Sequence, residues 1–140
     1  KNLERFAEAQ EVEGALIIRF DSRIYFANVN YLIDHIEELV NLKKEELKLL
    51  IIDAQSISSV DSSGMQALND LRTYCTANGM ELVFTSVIGP VRDTFAKEGF
   101  AQNLGTDHFF EQIDDATSKF LGSNKDSQTN PIKFQTNISS

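Results

Sequence analysis

Between two amphipathic stretches lies Leu47-Lys48-Leu49-Leu50-Ile51-Ile52-Asp53, apolar at every position but the second and ending in a carboxylate. A strand this apolar has to be covered on both faces, as a central strand of a parallel sheet is. Its flanks agree. Before it, Val29, Leu32, Ile33, Ile36, Leu39 and Val40 recur at helical spacing, opposite a polar side of Asn30, Asp34, Glu37, Glu38 and Asn41. After it, Met65, Leu68, Leu71, Tyr74 and Cys75 repeat the pattern. Strands that alternate with helices in this way specify an α/β architecture.

The remaining elements extend the alternation. Ala15 to Phe20 is of strand length, Asp21-Ser22-Arg23 supplies turn chemistry, and Ile24-Tyr25-Phe26 offers a second short strand. So tight a connection implies antiparallel neighbours, because a parallel crossover needs a dozen or more residues. Asn28 is suited to cap the first helix. Ala54 to Val60 reads as a loop. Asp61-Ser62-Ser63-Gly64 opens the second helix, with Ser63 and Gln66 at capping-box spacing, and Gly79 ends it. Glu81 to Val87 is the next strand, and Gly89-Pro90 starts a third helix that Gly99 stops. Phe109-Phe110 reads as a short last strand and Ile113 to Leu121 as a closing helix. The expected fold is a mixed, mostly parallel β-sheet with an N-terminal antiparallel strand and helices packed on it. Residues 1–13 read as a linker from a preceding region and residues 14–121 as the domain. Residues 122–140, rich in Ser, Asn, Gln and Thr, read as a disordered polar tail.

Composition bounds the function. The 140 residues suit one domain, with 41% hydrophobic and 24% charged residues. A net charge of −8 repels phosphate backbones and sets nucleic acid aside as a partner. The one adjacent basic pair in the body of the chain, Lys43-Lys44, is followed at once by Glu45-Glu46 and reads as a solvated loop. Cys75 has no cysteine to bridge with, which suits a reducing compartment. No stretch approaches the roughly 20 apolar residues of a membrane span, so direct membrane insertion is not expected. The start at Lys1 rather than Met agrees with a preceding region.

Sites in open α/β sheets gather beyond the carboxyl ends of the strands. Asp53 ends the buried strand there, and Asp61-Ser62-Ser63-Gly64 sits at the start of the following helix. A helix start offers unpaired N–H groups and the positive end of the dipole, so it can hold an anion or a partner contact. Phosphorylation of a serine there would add about −1.5 to −2 charges. The same residues also serve as a plain helix cap, and spacing does not separate the two readings. Catalytic signatures are missing from the sequence: there is no G-x-S-x-G, phosphate loop or dinucleotide fingerprint, and His35 and His108 lie far apart outside any metal motif. No catalytic residue, cofactor or metal is assigned. A phosphoacceptor receiver with Asp53 as nucleophile and Thr85-Ser86 beside it would need Mg²⁺ and further acidic ligands. Only Asp21 follows the first strand, in a turn, and the last strand ends without a lysine.

Leu50-Ile51-Ile52-Asp53, then Val60-Asp61-Ser62-Ser63-Gly64 and Leu68, closely resemble the signature of STAS domains. Arg19-Phe20-Asp21-Ser22 with Ile24-Tyr25-Phe26-Ala27-Asn28, and Gly89-Pro90-Val91-Arg92-Asp93, are similar to the branch that closes SulP-type anion transporters. The resemblance runs from about Gly14 to Leu121. It implies the fold already read from the pattern and a place at the cytoplasmic end of a transporter for sulfate or a related anion. It also implies a non-enzymatic role in regulation and assembly, through contacts with the transmembrane domain of the parent, a second protomer or a cytosolic regulatory protein. Relatives that antagonise anti-sigma factors are phosphorylated on the serine after the Asp, the position of Ser62. A free-standing switch of that type is the alternative.

Overall fold

The computed structural model describes residues 7–12, 14–20, 26–43, 47–122 and 136–137. Strands β1 (Ala7–Val12) and β2 (Ala15–Phe20) precede helix α1 (Phe26–Lys43), and β3 (Leu49–Asp53) precedes α2 (Ser62–Ala77). Strand β4 (Glu81–Thr85) is followed by α3 (Gly89–Lys97), α4 (Phe100–Leu104) and a 3₁₀ turn at Thr106–His108. Then come β5 (Phe109–Phe110), α5 (Ile113–Leu121) and β6 (Thr136–Asn137). Among the described residues the sheet has six strands in the order β5-β4-β3-β2-β1-β6. Strands β2 to β5 run parallel, while β1 is antiparallel to both β2 and β6.

Side chains alternate across a strand, and the two faces of β3 therefore serve two cores. Leu50 and Ile52 join Leu16, Ile18, Phe20, Leu82 and Phe84 under α1 to α4. Leu49 and Ile51 join Ala15, Ile17 and Val83 under α5. All five residues of β3 are buried, as an apolar central strand requires. Phe84 anchors the larger core, with Phe95 and Phe100 edge-on to it at 5.3 and 5.6 Å between ring centroids.

Several expectations are corrected. The stretch read as a linker contains β1, whose Ala-Glu-Ala-Gln-Glu-Val sequence has little strand character of its own and is held by pairing with β2 from Ala7↔Phe20 to Val12↔Ala15. Gly14, at φ 81°, lies in the turn between them, a conformation that glycine takes without steric cost. The antiparallel partner of β2 is thus β1, not Ile24-Tyr25-Phe26. Phe26 starts α1, Ile24 and Tyr25 lie outside the described residues, and Asn28 is inside α1 rather than at its cap. Pairing of the central strand starts at Leu49. Lys48, just before it, donates its N–H to Gly14 O at 2.9 Å. Past Gly99 the chain turns into a further short helix, α4, that no apolar period announced. The polar tail contains β6, paired with β1 at Glu8↔Asn137 and Ala9↔Thr136. Residues 1–6, 13, 123–135 and 138–140 of the expected linker and tail lie outside the described residues, as do 44–46 of the basic loop.

Candidate functional site

Parallel register sets the base of the site. Arg19, Asp53 and Thr85 are aligned across β2, β3 and β4 at the carboxyl end of the sheet. Arg19 Nε donates to Asp53 Oδ2 at 2.9 Å, and the Gln55 N–H donates to Oδ1 at 3.2 Å. Asp53 is 6% exposed, and both of its oxygens are engaged. That is the reverse of what a phosphoacceptor needs, and the receiver reading of Asp53 conflicts with it. Asp53 instead shapes the loop that follows. Ala54 N–H donates to Thr85 O at 2.8 Å, and Ile57 N–H to Ala54 O at 3.0 Å. Ile57 and Val60 drop into the core, leaving Gln55, Ser56, Ser58 and Ser59 exposed.

The loop delivers Asp61 in extended conformation as the cap of α2. Its Oδ1 accepts from Gly64 N–H at 2.7 Å, and its carbonyl accepts from Met65 N–H at 2.8 Å. The cap is therefore Asp61. The capping box expected from Ser63 and Gln66 does not form, because Ser63 already stands within the helix. Gly64 is buried, whereas Asp61, Ser62 and Ser63 are exposed. Among the described residues the Ser62 and Ser63 hydroxyls have no hydrogen-bond partner. Asp61, Ser62 and Ser63 thus form one surface feature, with Gly64 buried behind them as the donor to the Asp61 cap. Asp53 holds Arg19 and the Gln55 N–H and shares no hydrogen bond with that feature among the described residues.

The neighbouring loop, between β4 and α3, leaves the sheet at the same carboxyl end, after Thr85. Ser86 is the one non-glycine residue at positive φ among the described residues, at 55°. Its N–H donates to Phe110 O at 2.9 Å and its hydroxyl to Glu111 O at 3.0 Å, tying the loop to the β5–α5 corner. Ile88, Gly89 and Pro90 beyond it are exposed. Sequence reasoning gave Arg19 no role in the site. The available signal was a lone charge in the apolar strand Ala-Leu-Ile-Ile-Arg-Phe, which calls for a paired partner.

The histidines sit elsewhere. His35 is on α1. At the amino end of β4, His108 Nε2 is 2.9 Å from Glu81 Oε1, and its Nδ1 is 2.9 Å from Asp107 Oδ1. Hydrogen bonds from His108 and then from Lys119 hold the Asp107 carboxyl below its usual range. Burial pushes the Cys75 thiol up to about 12, which makes it a packing residue and not a nucleophile. Among the described residues no three His, Cys, Asp or Glu side chains converge as metal ligands would, and no helix is long and apolar enough to cross a membrane.

The family model for the STAS domain matches residues 6–116. A probable sulfate transporter 4.2 of Arabidopsis thaliana is 30% identical over 125 residues, covering 83% of this chain and 18% of its own length. Probable sulfate transporter 3.4 of the same plant is 31% identical over 126 residues, with 84% and 19% covered. The chain spans about a fifth of the length of these relatives. Among solved structures, a sulfate transporter family protein from Wolinella succinogenes superposes with TM-score 0.64 at 22% identity, over 77% of this chain and 85% of that one. The murine Solute Carrier 26 family member A9 anion transporter gives TM-score 0.69 at 23% identity, over 81% of this chain and 19% of that one. A putative anti-sigma factor antagonist from Thermotoga maritima gives 0.71 at 11% identity, over 86% and 99%. The fold, the capped Asp-Ser-Ser-Gly start of α2 and the match along most of its length place this chain in the STAS domain family.

Proposed function

We propose that this chain is a non-catalytic regulatory and assembly domain of a SulP-type secondary anion transporter, on the cytoplasmic side of the membrane. The observation that carries the reading is the alignment with sulfate transporters over more than four fifths of this chain but under a fifth of their length. On this reading the domain acts by contact. The partners that fit are the transmembrane domain of the parent protein, a second protomer or a cytosolic regulatory protein. The start of α2 is the contact site, where Asp61 makes the cap and leaves the Ser62 hydroxyl in solvent. Passage of sulfate or a related anion belongs to the membrane part.

The test begins with the coding sequence upstream of Lys1. Ten or more apolar spans of about 20 residues there support the reading. Sulfate uptake into cells expressing the full protein, with and without residues 6–121, then measures the contribution of the domain. Uptake and surface expression both unchanged by the deletion would refute it. A second reading, a free-standing switch phosphorylated at Ser62, is favoured by the likeness to the Thermotoga anti-sigma factor antagonist, which this chain covers almost completely. A start codon immediately upstream of Lys1, with phosphate incorporated at Ser62 by a partner kinase, would select it.

A further inference from the structure

The chain enters the domain at the carboxyl end of the sheet. Strand β1 runs antiparallel to β2 with Ala7 opposite Phe20, so its first residue lies beside the last residue of β2. An extended chain spans at most about 3.6 Å per residue, which keeps Lys1 within about 22 Å of Ala7 in any conformation. The loops after β3 and β4 leave the same end and are poor in charge. Among the exposed residues of 54–63 and 86–90, Asp61 carries the one charge, and the others are serines, Gln55, Ile88, Gly89 and Pro90. Elsewhere the surface matches a chain that is 24% charged: α1 exposes Asp34, Glu37 and Glu38, and α5 exposes Asp114, Asp115 and Lys119. Ile88 is one of two exposed large hydrophobic residues among the described residues. Charges return beyond it, at exposed Arg92 and Glu111, which stand 3.6 Å apart. The loops are also fixed in advance, by Ala54 N–H on Thr85 O at 2.8 Å and the Ser86 hydroxyl on Glu111 O at 3.0 Å. A preformed surface forfeits little order on binding.

We infer that the carboxyl end of the sheet, at loop 55–59 and corner 88–90, is the face that docks on the cytoplasmic side of the parent's transmembrane domain. The inference rests on the transporter reading above, and selects one partner and one face from those that reading allows. The tether selects the partner: in that reading the membrane part precedes this domain, and the chain arrives at this end. The charge pattern selects the face. Interface cores are depleted of charge and rimmed by polar groups, and covering α1 or α5 would strip water from several charges. Asp61 keeps its own partner when covered, because its Oδ1 already accepts from Gly64 N–H at 2.7 Å.

The test is photo-crosslinking in the full-length parent protein in its membrane. Benzoylphenylalanine replaces Ser58 or Ile88 and, as controls, the exposed Glu38 of α1 or Asp115 of α5. After irradiation and digestion, mass spectrometry identifies the peptide joined to each position. At least one of the Ser58 and Ile88 positions is expected to join peptides from the cytoplasmic loops of the membrane part, and neither control is expected to do so. Membrane-part peptides at the controls alone, at all four positions alike or at none of them would overturn the inference, and so would products formed only with another protein or with this domain of a second copy. The transporter reading is judged separately, by the apolar spans upstream of Lys1 and by uptake after deletion of the domain. A wrong face and a wrong reading therefore give different results.

Discussion

Removing the Asp61 side chain tests whether the start of α2 is built as described. Asp61→Ala deletes a 2.7 Å acceptor for the Gly64 N–H and a negative charge at the positive end of a 16-residue helix. Loss of an N-cap costs typically ~1 kcal/mol. The charge–dipole contribution at an exposed position adds ~0.3–1 kcal/mol, and because Asp61 faces solvent the lower half of that range applies. The expected loss is about 1.5 kcal/mol. With a urea dependence of ~2 kcal/mol per molar, the unfolding midpoint falls by about 0.7 M. Asp61→Asn keeps an acceptor of equal capping quality and recovers most of the loss. Ser63→Ala is the discriminating control: if Ser63 only rides in the first turn, the midpoint moves by less than about 0.25 M. Equal losses for Asp61→Ala and Ser63→Ala, or a neutral Asp61→Ala, would refute the assignment of the cap.

Asp53→Ala leaves the Gln55 N–H without its acceptor and takes the carboxylate from Arg19. A loss of ~2–3 kcal/mol is expected in the same urea assay, below the full cost for a deeply buried pair because Arg19 keeps 39% side-chain exposure. Cys75 should resist alkylation in the native protein. A thiol raised from 9.0 to about 12 holds about a thousandfold less thiolate at neutral pH, so labelling of the native protein should be far slower than that of the urea-unfolded chain at the same reagent concentration. Gly105→Ala should destabilise measurably, because the residue holds φ at 113° and its Cβ would lie 2.9 Å from Asp107 Oδ1 and 3.0 Å from His108 Nδ1. Asp107 has a lowered folded pKa, so its contribution is present above the unfolded value and is lost as pH falls through the folded one. The difference in stability between wild type and Asp107→Asn should shrink on acidification. Ser62→Asp should keep the fold and change partner binding. Unchanged binding would reduce the site to a cap.

What could be read in advance follows from where the information lies. Strand β3 is legible because Leu49 to Ile52 must be buried on both faces whatever surrounds them. Helices α2, α3 and α5 announce themselves by Asp61, Gly89-Pro90 and the 3.6-residue period. Strand β1 was not legible, because Ala7 to Val12 has no strand preference strong enough to show without β2 beside it. The choice between Asp61 and Ser63 as cap was open because both residue types cap well; it is settled by the extended backbone of Asp61 and the helical one of Ser63. The Arg19–Asp53 pair depends on parallel register across residues 34 apart, which no local pattern encodes. Gly99 was read as a plain stop, yet at φ 80° it redirects the chain into α4, where Phe100 is buried against Phe84 and Phe95.

The geometry at Ser62 also limits how a modification there could act. The start of α2 carries about half a positive charge, and the Asp61 carboxylate already faces it. A phosphate on Ser62 would add about −1.5 to −2 charges, more than the dipole can offset beside Asp61. The fold tolerates this because Ser62 is exposed and no described hydrogen bond depends on its hydroxyl. Asp53, Ile57 and Val60 hold the loop below it without using either serine. The surplus charge is therefore expressed at the surface, and salt screens it within about 8 Å. A partner that distinguished a phosphorylated from a free Ser62 would have to sit directly on the start of α2, because the added charge is felt only within that distance.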